Sequence, residues 1–65
     1  MLYTVSAVFD YTVITTTVDT STVEEALLAA EQVLLDYHGV SIDDANDITF
    51  HDETGDVYDE EGARL

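Results

Sequence analysis

Apolar residues recur with a helical period over one stretch only, Thr20 to Gly39. At 100° per residue, Val23, Ala26, Leu27, Ala30, Val33, Leu34 and Tyr37 fall on one side, a stripe wide enough to cover a small sheet. Ser21 followed by Glu24 reads as a capping box, and Gly39 supplies the left-handed residue that ends a helix, so the spacing predicts a helix from about Thr22 to His38. Leu28 and Leu35 lie off the stripe, one above the other on the opposite side. Glu24 and Glu31 flank them on one edge and Glu25 and Asp36 on the other, an apolar anchor in a charged ring.

Before the helix, Leu2 to Asp19 is rich in β-branched and aromatic residues with no Gly or Pro. Its odd positions Tyr3, Val5, Ala7, Phe9, Tyr11 and Val13 form an apolar row, after which Ile14 and Val18 move the apolar set to even positions. That phase change predicts two strands joined by an irregular tight turn near Asp10, or one sharply bent strand. After the helix, Ser41 and Asp44 bracket a single helical turn through Asn46, Ile48 and Phe50 alternate as a strand, Asp52 to Gly55 make a turn, and Val57 and Tyr58 return. The expected architecture is α+β, an antiparallel sheet packed by one helix in the order ββαββ. Residues 1–65 read as one small domain with a frayed acidic C-terminus from about residue 59.

Charge changes this picture more than length does. Fifteen Asp and Glu face a single Arg64 and no Lys, a formal net charge of -14, while a hydrophobic content of 46% argues against disorder. A folded polyanion repels DNA, RNA and anionic membranes, so no direct nucleic-acid or membrane binding is expected, and a macromolecular partner should be basic. There is no Cys for a disulfide or zinc-thiolate site. No apolar run has the length of a membrane span and the start lacks a secretory signal, which makes the cytoplasm the expected compartment, that of the host if the gene belongs to a phage.

Chemistry is not signalled. No pair of carboxylates is set apart by environment, no phosphate loop, nucleophile elbow or Cys/His cluster occurs, and no cofactor is implied. His38 reads as a helix-terminal residue and His51 as the solvent side of a strand, rather than as a base or metal ligand. The acidic stretches Asp43 to Asp47 and Asp52 to Asp56 lack the alternating ligands, sixth-position Gly and closing Glu of an EF-hand. An enzyme is therefore not expected, and neither catalytic nor metal-ligating residues are assigned.

Nine of the fifteen carboxylates lie between Asp43 and Glu61 and four more on the helix, which places the negative potential on the helix and the C-terminal half. Glu24 and Glu31 stand about 10 Å apart by helical rise, a spacing commensurate with a coarse subset of phosphates. The candidate partner-binding residues are Glu24, Glu25, Leu28, Glu31, Leu35 and Asp36 on the helix, with Asp43, Asp44, Asp47, Asp52, Glu53 and Asp56 beyond it. In size, charge and build the chain resembles, at the level of class and without a shared motif, the small acidic nucleic-acid mimics of phages and mobile elements. The resemblance implies an inhibitor of anti-CRISPR or anti-restriction type that occupies the basic nucleic-acid-binding surface of a host protein. Two alternatives stand beside it: a halophile's small soluble protein, in which acidity serves solubility, and a homo-oligomeric assembly protein that pairs through a strand edge and the Leu28/Leu35 patch. A homodimer is among the expected partners.

Overall fold

A computed structural model describes all of residues 1–65. Its elements are β1 (Leu2–Val8), β2 (Val13–Asp19), α1 (Val23–Val33), β3 (Asp47–Asp52) and β4 (Val57–Tyr58), with a π-helical turn over Leu34–His38 and a 3-10 turn over Ile42–Asp44. The strands form one antiparallel sheet in the order β2-β1-β3-β4. The chain is thus a small α+β fold of four strands and one helix. Chain order alone did not disclose that β1 and β3 would be the central pair.

The N-terminal arm is two strands, which accounts for the phase change. Tyr3 pairs with Val18, Val5 with Thr16 and Ala7 with Ile14, so the inward row of β1 runs on odd numbers and that of β2 on even ones. Between them Phe9 N–H donates to Thr12 O at 2.8 Å, closing a turn over Asp10 and Tyr11. The continuous odd row therefore breaks there: Tyr11 is fully exposed and Val13 faces outward, because both belong to the turn or to the opposite phase. Asn46 fixes this turn to the start of β3, its N–H donating to Val8 O and its side-chain amide to Asp10 Oδ1, both at 2.7 Å.

The helix caps one residue later than the Ser21/Glu24 spacing suggests. Thr22 is the N-cap, its Oγ1 accepting from Glu25 N at 3.2 Å, and the Glu25 carboxylate accepts in return from Ser21 N. At the other end Gly39 adopts φ 66°, and Val40 N donates to Leu34 O across it, the closing bond of a left-handed cap. The last turn is wider than α, since a π turn inserts an extra residue per hydrogen-bonded loop. Leu34 stays buried, but Tyr37 is carried out of phase with the stripe and stands 82% exposed, not on the core face.

The core lies between the helix and one face of the sheet. Tyr3, Val5, Ala7, Val18, Ile48 and Phe50 from the strands meet Val23, Ala26, Ala30 and Leu34 from the helix, with Ile42 closing one end. Ala26 and Ala30, completely buried, let the helix lie close over the sheet, and Phe50 is the largest of the fully buried side chains. Ser41 caps the 3-10 turn, accepting from Asp43 N, but that turn ends at Asp44 rather than running to Asn46.

The segment after β4 is anchored where a fray from about residue 59 is the sequence-based expectation. Asp59 Oδ1 accepts from Glu61 N and Ala63 N, Asp59 N donates to Ala63 O, and Leu65 N donates to Val57 O. Gly62, at φ 84°, makes the left-handed step this turn requires. No helix is long and apolar enough to cross a membrane.

Candidate interaction surface

The outward face of the sheet is almost free of charge. Between the registers Leu2↔Asp19 and Val8↔Asp47 it presents Thr4 and Ser6 from β1, Thr15 and Thr17 from β2, and Thr49 and His51 from β3. Carboxylates appear only at its margins, where Asp19 accepts from the Met1 ammonium at 3.1 Å and Asp47 caps its own strand, Oδ1 accepting from Ile48 N. Ser6 and Thr15 hydroxyls lie 3.5 Å apart across the strands. This face of hydroxyls, with His51 among them and Leu2, Val8 and Val13 at its ends, carries no carboxylate between its margins, although the chain has a net charge of -14.

On the opposite side, Leu28 and Leu35 of the helix and its π turn are 62% and 57% exposed, and Glu24, Glu25, Glu31 and Asp36 are exposed as well. Gln32 Nε2 donates to Asp36 at 2.9 Å, holding one carboxylate of the ring in place. Asp43 and Asp44 are exposed on the 3-10 turn.

The structure brings Glu31 and Asp43 together around a cavity of about 290 Å³ between α1 and the 3-10 turn. Leu27, Ile42, Ala45 and Ile48 form its apolar lining, and Glu60 completes the rim. Glu60 carries no signal of its own in the sequence, because an acidic chain end resembles a fray. The pairing of Asp59 with a Gly three residues on is the turn signature that marks it.

Asp52 does not belong to the surface. It is 9% exposed, and its carboxylate organises the β3–β4 turn: Oδ1 accepts from Thr54 N at 2.9 Å, Thr54 Oγ1 at 2.7 Å and Asp56 N at 3.0 Å, while Oδ2 accepts from the Tyr58 hydroxyl at 3.0 Å. The Thr54 hydroxyl bond leads in holding its carboxyl below the ordinary value, against the opposing effect of burial, and the Tyr58 and backbone bonds add to it. The bond to Asp52 raises the Tyr58 phenol in turn, with burial and the nearby Asp52 and Asp56 charges acting in the same direction. Asp56 is half-buried and paired to Arg64 at 3.0 Å, and Glu53 accepts from Leu2 N at 2.7 Å. These three residues of the turn serve the fold first.

Only Asp19 and Asp56 have an ionic partner, so the other exposed carboxylates present charge that no cation of the chain neutralises. Nowhere do three His, Asp or Glu side chains converge closely enough to hold a metal ion. Compared with known protein families, curated proteins and solved structures, the chain finds no match.

Proposed function

We propose that this protein is a non-enzymatic inhibitor that presents its acidic helix side to the basic nucleic-acid-binding surface of a host enzyme or defence complex, in the manner of a DNA mimic of anti-CRISPR or anti-restriction type. The observation that carries this reading is the one-sidedness of the charge. Acidity that served only solubility in brine would gain from every exposed position, yet the sheet face carries hydroxyls at Thr4, Ser6, Thr15, Thr17 and Thr49 while carboxylates crowd the helix, the 3-10 turn and the C-terminal segment. A concentrated negative surface with Leu28 and Leu35 at its centre supplies both steering and an apolar anchor. The test is capture of a basic nucleic-acid-binding protein from candidate host lysate, followed by displacement with nucleic acid.

The same asymmetry gives two copies a way to meet in the host cytoplasm without opposing their carboxylates. β2 is an edge strand of seven residues whose outward backbone groups have no partner strand, and it borders the uncharged face. The proposal therefore includes a homodimer joined at β2. Sedimentation at micromolar concentration should show twice the 7.2 kDa monomer mass; a monomer alone would remove the dimer and leave the inhibitor reading intact.

A further inference from the structure

The cavity beside α1 has a composition that suits an elongated organic cation better than a metal ion. Its floor is apolar, with Ile42 and Ile48 each only 6% exposed and Leu27 half-buried beside them. Its rim carries Glu31, Asp43 and Glu60, all exposed. These carboxylates line the cavity without converging closely enough to hold a divalent cation. At about 290 Å³ the space lies at the lower limit of ligand pockets, which run from about 300 to 1,000 Å³, and so admits one long side chain rather than a folded element.

Arginine meets these conditions. Its methylene stem lies along apolar surface while its head stays with charge, and its guanidinium is planar, weakly hydrated and able to fork between separate carboxylate oxygens. Arginine is also enriched among residues that anchor interfaces, and it abounds on surfaces that bind phosphate. We propose that the cavity is a socket for one arginine side chain of the partner protein, with its stem on Leu27, Ile42 and Ile48 and its guanidinium among Glu31, Asp43 and Glu60. This rests on the reading that the partner is basic, and it names one contact within that complex.

The experiment is an amide-resolved NMR titration of the whole chain with the blocked tripeptide Gly-Arg-Gly, and with the same peptide carrying citrulline, which keeps the shape and loses the charge. Saturable shifts should centre on Leu27, Ala45 and Ile48, and the citrulline peptide should bind at least about tenfold more weakly. Glu31→Gln, Asp43→Asn and Glu60→Gln together should weaken the arginine peptide by a similar factor, whereas Asp19→Asn with Glu61→Gln, exposed carboxylates outside the candidate contact set, should leave it within about twofold. Equal binding of the citrulline peptide, shifts spread evenly over the acidic side, or equal loss in the control variant would overturn the socket. Because no partner is present, the result stands apart from the inhibitor reading: arginine binding without nucleic-acid displacement would sink the mimic and keep the socket, and displacement unaffected by the triple substitution would do the reverse.

Discussion

The Tyr58 hydroxyl donates to Asp52 Oδ2 at 3.0 Å, while Tyr58 also stands edge-on to Tyr3 with ring centroids 6.5 Å apart. The two-residue strand β4 therefore owes its place to a side-chain bond and an aromatic contact as much as to its short ladder with β3. That bond is strongest while Asp52 is ionised, and it requires Tyr58 to be neutral.

This sets a pH window for the hairpin. Asp52 has a folded pKa below its unfolded value of about 3.9, so its contribution is fully present above that value and is lost as pH falls through the lower folded one. Tyr58 has a folded pKa above its unfolded value of about 10, so its contribution is present below that and is lost as pH rises through the higher folded one. Asp52→Ala should destabilise the chain more than Asp52→Asn, which keeps an acceptor, and should abolish the acid limb of the stability profile. Chemical denaturation of both variants from pH 3 to pH 7 checks this, and an unchanged acid limb in Asp52→Ala would place the acid sensitivity elsewhere.

Core and candidate contact residues on the helix should separate cleanly under mutation. Leu34 is 1% exposed, and Leu34→Ala should cost about 2–5 kcal/mol. Leu28→Ala with Leu35→Ala removes exposed side chains and should change stability by less than about 0.5 kcal/mol per site. Urea titrations decide it. A large loss in the double variant would mean that these leucines are covered in the native assembly.

Salt separates inhibition from halophilic adaptation. An inhibitor works at ordinary ionic strength, so the chain should be folded at about 0.15 M salt despite its self-repulsion, with only a gradual gain in melting temperature as screening increases. Far-UV circular dichroism melts across a salt series give the answer. A chain that is unfolded below molar salt would favour the halophilic reading.

Much of this fold is legible in the sequence because it is written in periodicity. The helix stripe, the phase change at the first hairpin and the Ile48/Phe50 alternation each follow from side-chain spacing, and Gly39 marks its cap through the one conformation it tolerates better than other residues. Features resting on competition between near-equivalents are not legible. Ser21 and Thr22 are both competent caps, each with a Glu three residues on, and it is Thr22 that caps. Nothing in Leu34 to His38 announces a π turn, so regular helical spacing puts Tyr37 on the core face while the structure leaves it exposed. Among the candidate contact residues, the exposure of the helix set follows from its spacing, but the burial of Asp52 is hidden among other acidic residues. Its signal lay in the Thr two positions on and the Tyr six positions on, which supply the donors that a buried carboxylate needs.

The central claim is that the acidic helix side occupies a nucleic-acid site, and binding kinetics on the captured partner, with and without competing nucleic acid, test it most directly. Rim charges govern association and buried apolar anchors govern dissociation. Glu24→Gln, Glu31→Gln and Asp36→Asn together should slow association about tenfold and flatten its salt dependence, while Leu28→Ala with Leu35→Ala should speed dissociation by a similar factor. Nucleic acid that fits the partner's groove should abolish binding of the unaltered chain in proportion to its own occupancy. Binding that persists at saturating nucleic acid would contradict the account, because the chain would then hold some other surface of its partner.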